Sequence, residues 1–381
     1  MNTAMPERSV IVSSIVSIEP SFDRSFEEVL SSARGLTVHL EGEQEARLEP
    51  EDPRAAGFAR ILTALQEQKR PVYLETDPET SAITRLLIPY VSRIRDIQPG
   101  RDETLIVELE LSHAVHVLPA GSEREQLEWQ LREALAAQQP VILTETDDHQ
   151  IIDVRKQTIG GAEPDVPFAR PTGRVGRRRP LFFASFFFRI WWWRCWPWWC
   201  WWPWGNAVSV AQADQAFNAM SATSCAPLTV PPPCIPFLYP DDGCWGRAHE
   251  MCRLMINMGL SPRKVWIQGY LHAATRNNPN CFVNWGWHVA PTLRVRTRRF
   301  MCCAETMVID PSLFGGPVPE ATWKGVQGDP NATLTQSDAS DFLWGQTDPT
   351  YTQTNQVLAT YRLQLQNRSI QQGPPPYANC P

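Results

Sequence analysis

Apolar residues recur at regular positions in the first half of the chain, and the same pattern occurs there twice. The stretch LTVHLEGEQEARLEP from Leu36 resembles LIVELELSHAVHVLP from Leu105, and RPVYLETD, with Pro71, resembles QPVILTET, with Pro140. Both pairs are offset by 69 residues (105 − 36 and 140 − 71). In each copy the apolar spacing predicts two short strands, then a helix, then a strand that begins Pro-Val.

The two copies predict a duplicated small α/β domain over residues 36–159, with repeats at 36–90 and 105–159 and an N-terminal extension at 1–35. Two copies are too few for a solenoid. No His/Cys pair, glycine-rich phosphate loop or metal-binding cluster is evident in either copy. We therefore expect this half to be a binding, assembly or masking domain rather than a catalytic one.

The middle of the chain changes character twice. Residues 160–180 are rich in Gly, Pro and Arg, which predicts a linker. Residues 181–204, LFFASFFFRIWWWRCWPWWCWWPW, hold most of the chain's 16 tryptophans. Their length suits a bilayer span, but Arg189 and Arg194 lie inside the segment, prolines break a helix, and tryptophan favours the interface. We expect an interfacial membrane anchor, with a true span and an apolar strip between domains as alternatives.

Charge is distributed unevenly between the two halves. The formal net charge is −6, but residues 1–165 carry 16 Lys and Arg against 30 Asp and Glu, which leaves −14, and residues 166–381 carry 19 against 11, which leaves +8. The acidic half is therefore suited to docking on the basic half or shielding it, and two independently solvated domains are the alternative. We expect no nucleic-acid partner.

All ten cysteines lie between Cys195 and Cys380. This distribution favours disulfides in an exported C-terminal half, although a nucleophilic cysteine would leave an odd number for pairing. The spacing lacks the paired CxxC pattern of a zinc site, so we expect no metal and no organic cofactor. The N-terminus has acidic residues and no apolar core, so it does not resemble a secretory signal, and we expect any export to follow a non-classical route.

Residues 245–258 have helical periodicity. The apolar positions of this stretch repeat at a spacing that lines one face of a helix: Ala248, Met251, Cys252, Met255 and Met258. The polar residues fall elsewhere, which predicts a helix that is buried along one side. Asp241 or Asp242 is the predicted cap and Gly259 the predicted stop, so Cys244 lies in the first turn.

A cysteine in the first turn of a helix can act as a nucleophile. The unpaired backbone N–H groups and the partial positive charge there favour the thiolate of Cys244 and can hold a developing oxyanion. The two preceding acids oppose this, so the thiol needs a positive partner. Cys252 lies on the apolar stripe and has the features of a small buried hydrophobe. His249 is too far around the helix to be the partner, which must therefore come from elsewhere.

The stretch NWGWHVAPTLRV predicts a strand whose two faces differ. One face carries the large apolar residues Trp285, Trp287, Val289, Pro291, Leu293 and Val295, and His288 points to the other face. A hairpin that turns near Arg298 would bring His288 to within about one rung of Asp310, which ends the next apolar run. Each residue alone is more often structural, but Cys, His and Asp in this order are typical of a thiol hydrolase.

These residues lie in several sequence segments that resemble the bacterial protein-glutaminase family. The segments are IPFLYPDDGCWGRAHEMC, KVWIQGYL, WGWHVAPTL and VIDPSLFGGPV, and the resemblance covers about residues 235–323. It implies an α+β fold with a papain- and transglutaminase-like cysteine hydrolase domain, here at 225–381. It maps the nucleophile to Cys244, the base to His288 and the orienting carboxylate to Asp310. Trp245 departs from the family pattern, which places a tyrosine after the cysteine.

The resemblance implies deamidation of glutamine side chains in proteins or peptides, with a thioester intermediate and release of ammonia. The substrate is then a protein or peptide with an accessible glutamine, and Trp245, Trp266, Trp285 and Trp287 are candidates to line its binding cleft. Three alternatives stay open: a transglutaminase that resolves the thioester with a lysine amine, a non-catalytic membrane-associated scaffold, and a delivered effector or toxin. Family members carry a pro-region that occludes the cleft, and whether the duplicated domain has that role is open.

Overall fold

The computed structural model describes residues 9–20, 35–157, 206–296 and 304–381. These residues form a mixed α/β structure. The predicted linker at 160–180, the Trp-rich segment at 181–204 and the turn near Arg298 lie outside the described residues. In the part of the chain that the structure describes, no helix has the length and hydropathy needed to cross a bilayer.

The first sheet has five strands in the order β3-β2-β1-β4-β5, and helix α1 packs against it. Its elements are β1 (Ser9–Glu19), β2 (Leu36–Leu40), β3 (Gln44–Leu48), α1 (Ala55–Glu67), β4 (Pro71–Thr76) and β5 (Ile83–Leu87). The buried face of α1 carries Phe58, Ile61, Leu62 and Leu65, a helical spacing that forms one core with the sheet.

The second sheet repeats this arrangement in the order β8-β7-β6-β9-β10, with helix α2 against it. Its elements are β6 (Tyr90–Pro99), β7 (Leu105–Leu109), β8 (His116–Leu118), α2 (Arg124–Ala137), β9 (Pro140–Glu145) and β10 (Ile151–Lys156). Strand, strand, helix and strand follow one another as predicted in each copy. A long central strand precedes them: β1, which lies in the predicted N-terminal extension, and β6, which lies across the predicted boundary at residue 90.

The third sheet belongs to the C-terminal half and has the order β15-β14-β13-β12-β16, with β11 beside β13. Its strands are β11 (Val208–Ser209), β12 (Arg263–Ala274), β13 (Phe282–Arg296), β14 (Ala304–Val308), β15 (Val318–Pro319) and β16 (Thr333–Asp338). Strands β12 and β13 pair antiparallel, and β14 pairs with the end of β13 at residues 292–296. The edge of β13 opposite β12 is therefore free of β14 at residues 284–287.

Four helices and a small hairpin complete the C-terminal half. They are α3 (Val210–Ser221), α4 (Cys244–Asn257), α5 (Glu320–Gly325), the hairpin of β17 (Asp341–Leu343) and β18 (Gln346–Thr347), and α6 (Thr352–Gln372). Helix α4 packs against β13 on one side and α6 on another. Disulfides join Cys225 to Cys234 and Cys281 to Cys380, and the second of these ties the C-terminus to the loop before β13.

The two halves of the chain share buried cores rather than standing apart. Leu363 of α6 lies in the core of the first sheet. Leu105 and Val107 of the second sheet lie in one apolar cluster with Cys244 and Trp245 of α4. The acidic half is therefore docked on the basic half, and the alternative of two independently solvated domains is wrong for this structure.

Candidate active site

Helix α4 begins at Cys244, so its first turn holds the thiol as predicted. The N-cap is Gly243, whose backbone is left-handed with a φ of 79°. Neither Asp241 nor Asp242 caps the helix through its side chain, which corrects the prediction. Glycine suits this close approach because a β-carbon on Gly243 would lie 2.2 Å from Cδ2 of Tyr361.

The two aspartates hold the chain in front of α4 instead. Asp242 Oδ1 accepts a hydrogen bond from the backbone N of Gly243 at 2.8 Å and another from the backbone N of His113 at 3.1 Å. Asp241 Oδ2 accepts from Nη1 of Arg368 at 2.7 Å. Burial raises the pKa of Asp242. Each aspartate therefore ties the helix start to another part of the molecule.

Helix α4 is buried all round over its first half, not along one side as predicted. Arg247 and Glu250, which sequence reasoning placed off the apolar face, are 2% and 4% exposed. The second sheet and α6 cover the side that the pattern leaves for solvent. The predicted apolar stripe ends at Met258, which is 40% exposed, and Gly259 follows the helix end as predicted.

Arg247 is a buried positive charge whose field acts on the thiol of Cys244. Its Nη1 donates to the backbone O of Tyr239 at 2.9 Å and to the backbone O of Asp242. Burial raises the pKa of the Cys244 thiol well above its ordinary value, while the Arg247 charge and the backbone N–H of Val289 act to lower it. Burial therefore outweighs the groups that favour the thiolate.

His288 and Asp310 meet as the predicted hairpin requires. His288 Nε2 lies 2.9 Å from Asp310 Oδ2, and both side chains are almost fully buried. Trp323 Nε1 also donates to Asp310 Oδ2, at 2.9 Å, and its ring lies beside that of His288. Burial alone would raise the pKa of Asp310, but the hydrogen bonds from His288 and Trp323 hold it below its ordinary value.

The carboxylate fixes the tautomer of His288. Since Asp310 Oδ2 accepts, Nε2 of His288 carries the hydrogen and Nδ1 carries the lone pair in the neutral ring. Nδ1 is buried and makes no hydrogen bond to any described residue. Burial lowers the pKa of His288, against the effect of Asp310. The ring is therefore a neutral base with its lone pair available.

The thiol and the imidazole lie in one cluster. A ring nitrogen of His288, Sγ of Cys244 and a ring nitrogen of His113 all lie within 4.8 Å of one another. Cysteine on a helix start, histidine on β13 and aspartate after β14 are thus brought together as sequence reasoning expected. The third member, His113, comes from the second copy of the N-terminal half and was not expected.

His113 reaches this cluster because its segment pairs with the free edge of β13. The backbone N of Gly286 donates to the O of His113 at 2.9 Å, and the N of Val115 donates to the O of Asn284 at 3.2 Å. Ala114 forms an antiparallel bridge with Trp285. Residues 113–115 therefore add a short strand to the third sheet directly over the site.

The four tryptophans proposed to line a cleft surround this cluster but are buried. Trp245, Trp266, Trp285 and Trp287 are 2%, 2%, 0% and 8% exposed. Trp266 Nε1 donates to Ser337 Oγ, and Trp285 Nε1 donates to the backbone O of Asp241. Trp245, Trp285 and Trp287 lie against the ring of His113. These three are therefore the tryptophans that His113 covers.

Strict alternation along β13 fails at one point. It predicts Trp285 and His288 on opposite faces, but their rings stack with centroids 4.4 Å apart and planes 13° apart. The pairing of β12 with β13 shifts register between Gln268 and Leu271, opposite Trp287 and Trp285. This irregularity changes the side-chain direction between Trp285 and His288, a local effect that apolar periodicity does not reveal.

Cys252 and His249 of α4 are the two residues that sequence reasoning excluded from the site. Cys252 is buried, and burial raises the pKa of its thiol to about 11. Nδ1 of His249 lies 3.0 Å from Nζ of Lys264. Burial and the Lys264 charge lower the pKa of His249 to about 4. Sequence reasoning rejected Cys252 as a nucleophile and His249 as the partner of Cys244. In the structure Cys252 is buried and His249 contacts Lys264 instead.

A second buried polar cluster occurs in the N-terminal half, where no metal-binding cluster was expected. Glu145 lies 2.5 Å from Nδ1 of His116 through Oε2 and 2.6 Å from Nδ1 of His149 through Oε1. His116 Nε2 lies 2.8 Å from Ser112 Oγ. Sequence reasoning missed this cluster because His116 lies 29 residues before Glu145 along the chain.

Sequence reasoning also missed three residues close to Cys244 and His288. Arg247 was read as a surface residue, although its position three residues after Cys244 places it one helical turn away. Trp323 ends the stretch of family resemblance, which was a usable signal. The sequence contains no signal for His113, because the pairing of residues 113–115 with β13 is a long-range contact.

Part of this chain is similar to known proteins. Residues 213–327 match a family model described as Glutaminase. A crystal structure of protein-glutaminase is 30% identical to the chain, with a TM-score of 0.37, and the match covers 42% of this chain and 90% of that one. The chain belongs to the protein-glutaminase family.

Further matches involve other structures of the same family. The NMR structure of protein-glutaminase from Chryseobacterium proteolyticum is 30% identical, with a TM-score of 0.35, and covers 39% of this chain and 84% of that one. A crystal structure of pro-protein-glutaminase is 22% identical, with a TM-score of 0.47, and covers 73% of this chain and 93% of that one. A search of curated proteins found no significant match.

Proposed function

We propose that this chain deamidates glutamine side chains in proteins or peptides, with Cys244 as nucleophile, His288 as base and Asp310 as the carboxylate that orients it. The observation that carries the proposal is the cluster of donor atoms: Cys244 Sγ lies within 4.8 Å of a ring nitrogen of His288, and His288 Nε2 lies 2.9 Å from Asp310. Cysteine, base and orienting group are the parts that acyl transfer through a thioester requires.

The first half-reaction forms the thioester. His288 Nδ1 takes the proton of the Cys244 thiol as sulfur attacks the γ-carboxamide carbon of a glutamine. The N–H groups at the start of α4 stabilise the oxyanion of the tetrahedral intermediate. The intermediate collapses, the C–N bond breaks, and His288 gives its proton to the departing nitrogen, which leaves as ammonia.

The second half-reaction consumes water. His288 takes a proton from a water molecule that attacks the thioester carbon, the C–S bond breaks, and the proton returns to the sulfur. The product is a glutamate side chain. Asp310 accepts from Nε2 throughout, so it holds the ring orientation and stabilises the imidazolium form.

The finer features of the fold support this assignment. The C-terminal half places the nucleophile on the first turn of a helix and the histidine on an adjacent antiparallel sheet, an arrangement we assign to the papain- and transglutaminase-like class. The two five-stranded sheets with one strand order support a duplication in the N-terminal half. We place the boundary between the copies between β5 and β6.

We further propose that the N-terminal half masks the site in this state. His113 is 1% exposed and lies against Trp245 and Trp287, and residues 113–115 occupy the edge of β13 that leads to His288. A glutamine side chain needs this space to reach Cys244. Deamidation therefore requires displacement of residues 113–115 or separation of the two halves.

The test uses a glutamine-containing protein substrate after the N-terminal half has been displaced by limited proteolysis of residues 158–205, with and without a primary amine. We expect ammonia release and glutamate by mass spectrometry under both conditions, and loss of both with Cys244→Ala. Cys252→Ala, on the same helix, is the matched control and should keep the activity. An amine adduct in place of glutamate would indicate a transglutaminase, and ammonia release by Cys244→Ala would remove the proposal.

A further inference from the structure

Three donor atoms of the kinds that bind transition metals converge at the contact between the two halves. They are Sγ of Cys244, a ring nitrogen of His288 and a ring nitrogen of His113, all within 4.8 Å of one another. The first two belong to the C-terminal half and the third to the second copy of the N-terminal half. The cluster therefore exists only while residues 113–115 pair with β13.

The hydrogen bonds of both histidines leave lone pairs directed away from their partners. His113 Nδ1 lies 2.9 Å from the backbone O of Trp287, which can only accept, so Nδ1 carries the hydrogen and Nε2 the lone pair. His288 donates from Nε2 to Asp310, so its lone pair is on Nδ1. Donation from the second ring nitrogen to a carbonyl or carboxylate is the usual arrangement of metal-binding histidines.

Both lone-pair nitrogens lack a hydrogen bond to any described residue. His113 Nε2 and His288 Nδ1 are buried atoms without such a partner, in side chains that are each 1% exposed. The thiol hydrogen of Cys244 can serve one nitrogen at a time.

The carboxyl group of Asp242 completes the surroundings. Oδ1 of Asp242 lies 3.3 Å from Nε2 of His113, so an acceptor oxygen faces a nitrogen that itself holds a lone pair. A cation between these groups would relieve their repulsion and could take the carboxylate as a fourth ligand. A proton shared between them is the competing explanation, and metal titration separates the two.

We propose that His113, Cys244 and His288 form a binding site for a zinc-class divalent cation, with Asp242 beside it as a fourth donor. Tetrahedral zinc with one sulfur and two nitrogen ligands needs ligand atoms roughly 3.3–3.6 Å apart. The donors are within 4.8 Å of one another, so side-chain movements of about 1 Å bring them to that spacing. The ion displaces the thiol proton of Cys244, which leaves to solvent.

Such an ion would hold the N-terminal half on the active site. It would bind one ligand from the covering segment and two from the catalytic residues, so removal of the metal favours opening. This consequence rests on the proposed function, because it treats Cys244 and His288 as the catalytic pair. The binding site itself rests on the ligand geometry alone.

The cluster of His116, Glu145 and His149 carries no such inference. Both Nδ1 atoms are already in hydrogen bonds to Glu145, and His116 Nε2 lies at hydrogen-bond distance from Ser112. His149 Nε2 has no hydrogen-bond partner among the described residues, so this cluster offers at most one free histidine nitrogen. It therefore provides the control site for the experiment.

The experiment adds Co²⁺ to the metal-free full-length chain, incubated long enough for the covering segment to open, and records the absorption spectrum. We expect one equivalent of tetrahedral Co²⁺ with a thiolate-to-metal charge-transfer band, and displacement of Co²⁺ by Zn²⁺. Cys244→Ser must remove the band, since other cysteines of the chain are the alternative source of a thiolate. Loss of His113 in His113→Ala should weaken Zn²⁺ binding at least about 100-fold in competition with a chromophoric chelator.

His149→Gln and Cys252→Ser are the matched controls and should leave the band unchanged. A wild-type chain without a thiolate band, or a band that survives Cys244→Ser, overturns the proposal, and the first of these outcomes does not depend on how well a variant folds. The readout uses no substrate. An absent band with normal deamidation therefore defeats the metal site alone, and a normal band without deamidation defeats the proposed function alone.

Discussion

The two copies in the N-terminal half share one strand order but differ in a single connection. In the first copy, β2 and β3 are joined by the tight turn 41–43, and five residue pairs form their ladder. In the second copy, β7 and β8 are joined by residues 110–115, and three pairs form the ladder. The released residues leave their own sheet and pair with β13 over Cys244.

This difference shows how one of two sheets with the same strand order acquires a specific contact. Backbone groups that give up pairing within a sheet must find other partners, and residues 113–115 find them on β13. The described residues of the first copy include no such segment, and this copy docks on α6 through apolar packing and amide hydrogen bonds, such as Asn367 Nδ2 to the O of Leu86. The first copy therefore attaches the N-terminal half to α6, and the second copy covers Cys244.

The largest expected effect concerns the charge that joins the second copy to the catalytic half. Arg368 is buried and donates to Asp147 at 2.8 Å and to Asp241 at 2.7 Å. Arg368→Met removes the guanidinium that both acids contact, and we expect it to lower the free energy of unfolding by about 3–5 kcal/mol. Urea denaturation measures this.

The neighbouring residue provides the comparison for the first copy. Asn367→Ala removes one amide hydrogen bond to Leu86, whose carbonyl also accepts from Gln371. We expect a loss of about 1 kcal/mol. Equal effects of Arg368→Met and Asn367→Ala would show that the two copies are attached alike, which would remove the contrast between them.

The next largest effect is expected when the connection between β7 and β8 is replaced by the turn between β2 and β3. If residues 110–115 are replaced by the three-residue turn of 41–43, the second copy keeps its sheet but loses its contact with β13. We expect Cys244 to react with iodoacetamide on the order of 100-fold faster, because a covered state that dominates the equilibrium is removed. Peptide mass mapping of the labelled cysteine measures the rate.

The reverse exchange is the control. Insertion of residues 110–115 in place of 41–43 lengthens the hairpin of the first copy, far from Cys244, and should leave the labelling rate unchanged. Slow labelling of Cys244 after the first exchange would mean that other parts of the fold bury the thiol.

A smaller effect compares two glycines that contact α6. Gly243 has a φ of 79°, and a β-carbon there would lie 2.2 Å from the ring of Tyr361, whereas a β-carbon on Gly57 would meet the flexible end of Ile370. We expect Gly243→Ala to cost about 2–3 kcal/mol and Gly57→Ala less than about 1.5 kcal/mol. Thermal unfolding of both variants checks the order, which would be reversed if α6 moved freely at Tyr361.

The smallest effect is a pH dependence of the second copy. Burial alone would lower the pKa of His149, but the Glu145 carboxylate raises it to about 9. The stabilisation is complete below the ordinary pKa of 6.5 and is lost as the pH rises through about 9. Raising the pH from 6.5 to about 9 should lower the melting temperature by roughly 2–4 °C.

The variant His149→Gln isolates this contribution, since it removes the titrating ring and should flatten the stability curve in that range. An unchanged curve in His149→Gln would place the pH dependence at another group.

Local patterns in the sequence predicted the parts of the site that lie close along the chain. Helical spacing placed Cys244 in the first turn of α4, and alternation placed His288 on the strand next to Asp310. Offsets of 69 residues marked the two copies. The predicted helix cap was wrong because a left-handed glycine, rather than an aspartate side chain, precedes Cys244.

Contacts between distant segments could not be read from the sequence. Arg247 and Glu250 have the composition of an exposed face and are buried because another part of the chain covers them. His113 is one of seven histidines, and its position over Cys244 depends on the pairing of two sheets. Burial by a docked half leaves no periodic signal in the half that it covers.

The most direct measurement is ammonia release by the chain in which the turn of the first copy replaces residues 110–115, with Cys244 or Cys252 changed to alanine. We expect the exchanged chain to deamidate glutamine faster than the wild type, because residues 113–115 no longer cover Cys244. Cys244→Ala should abolish this activity, and Cys252→Ala should preserve it. Activity that survives Cys244→Ala, or that Cys252→Ala abolishes, would contradict the assignment of Cys244 as the nucleophile beneath a covering segment.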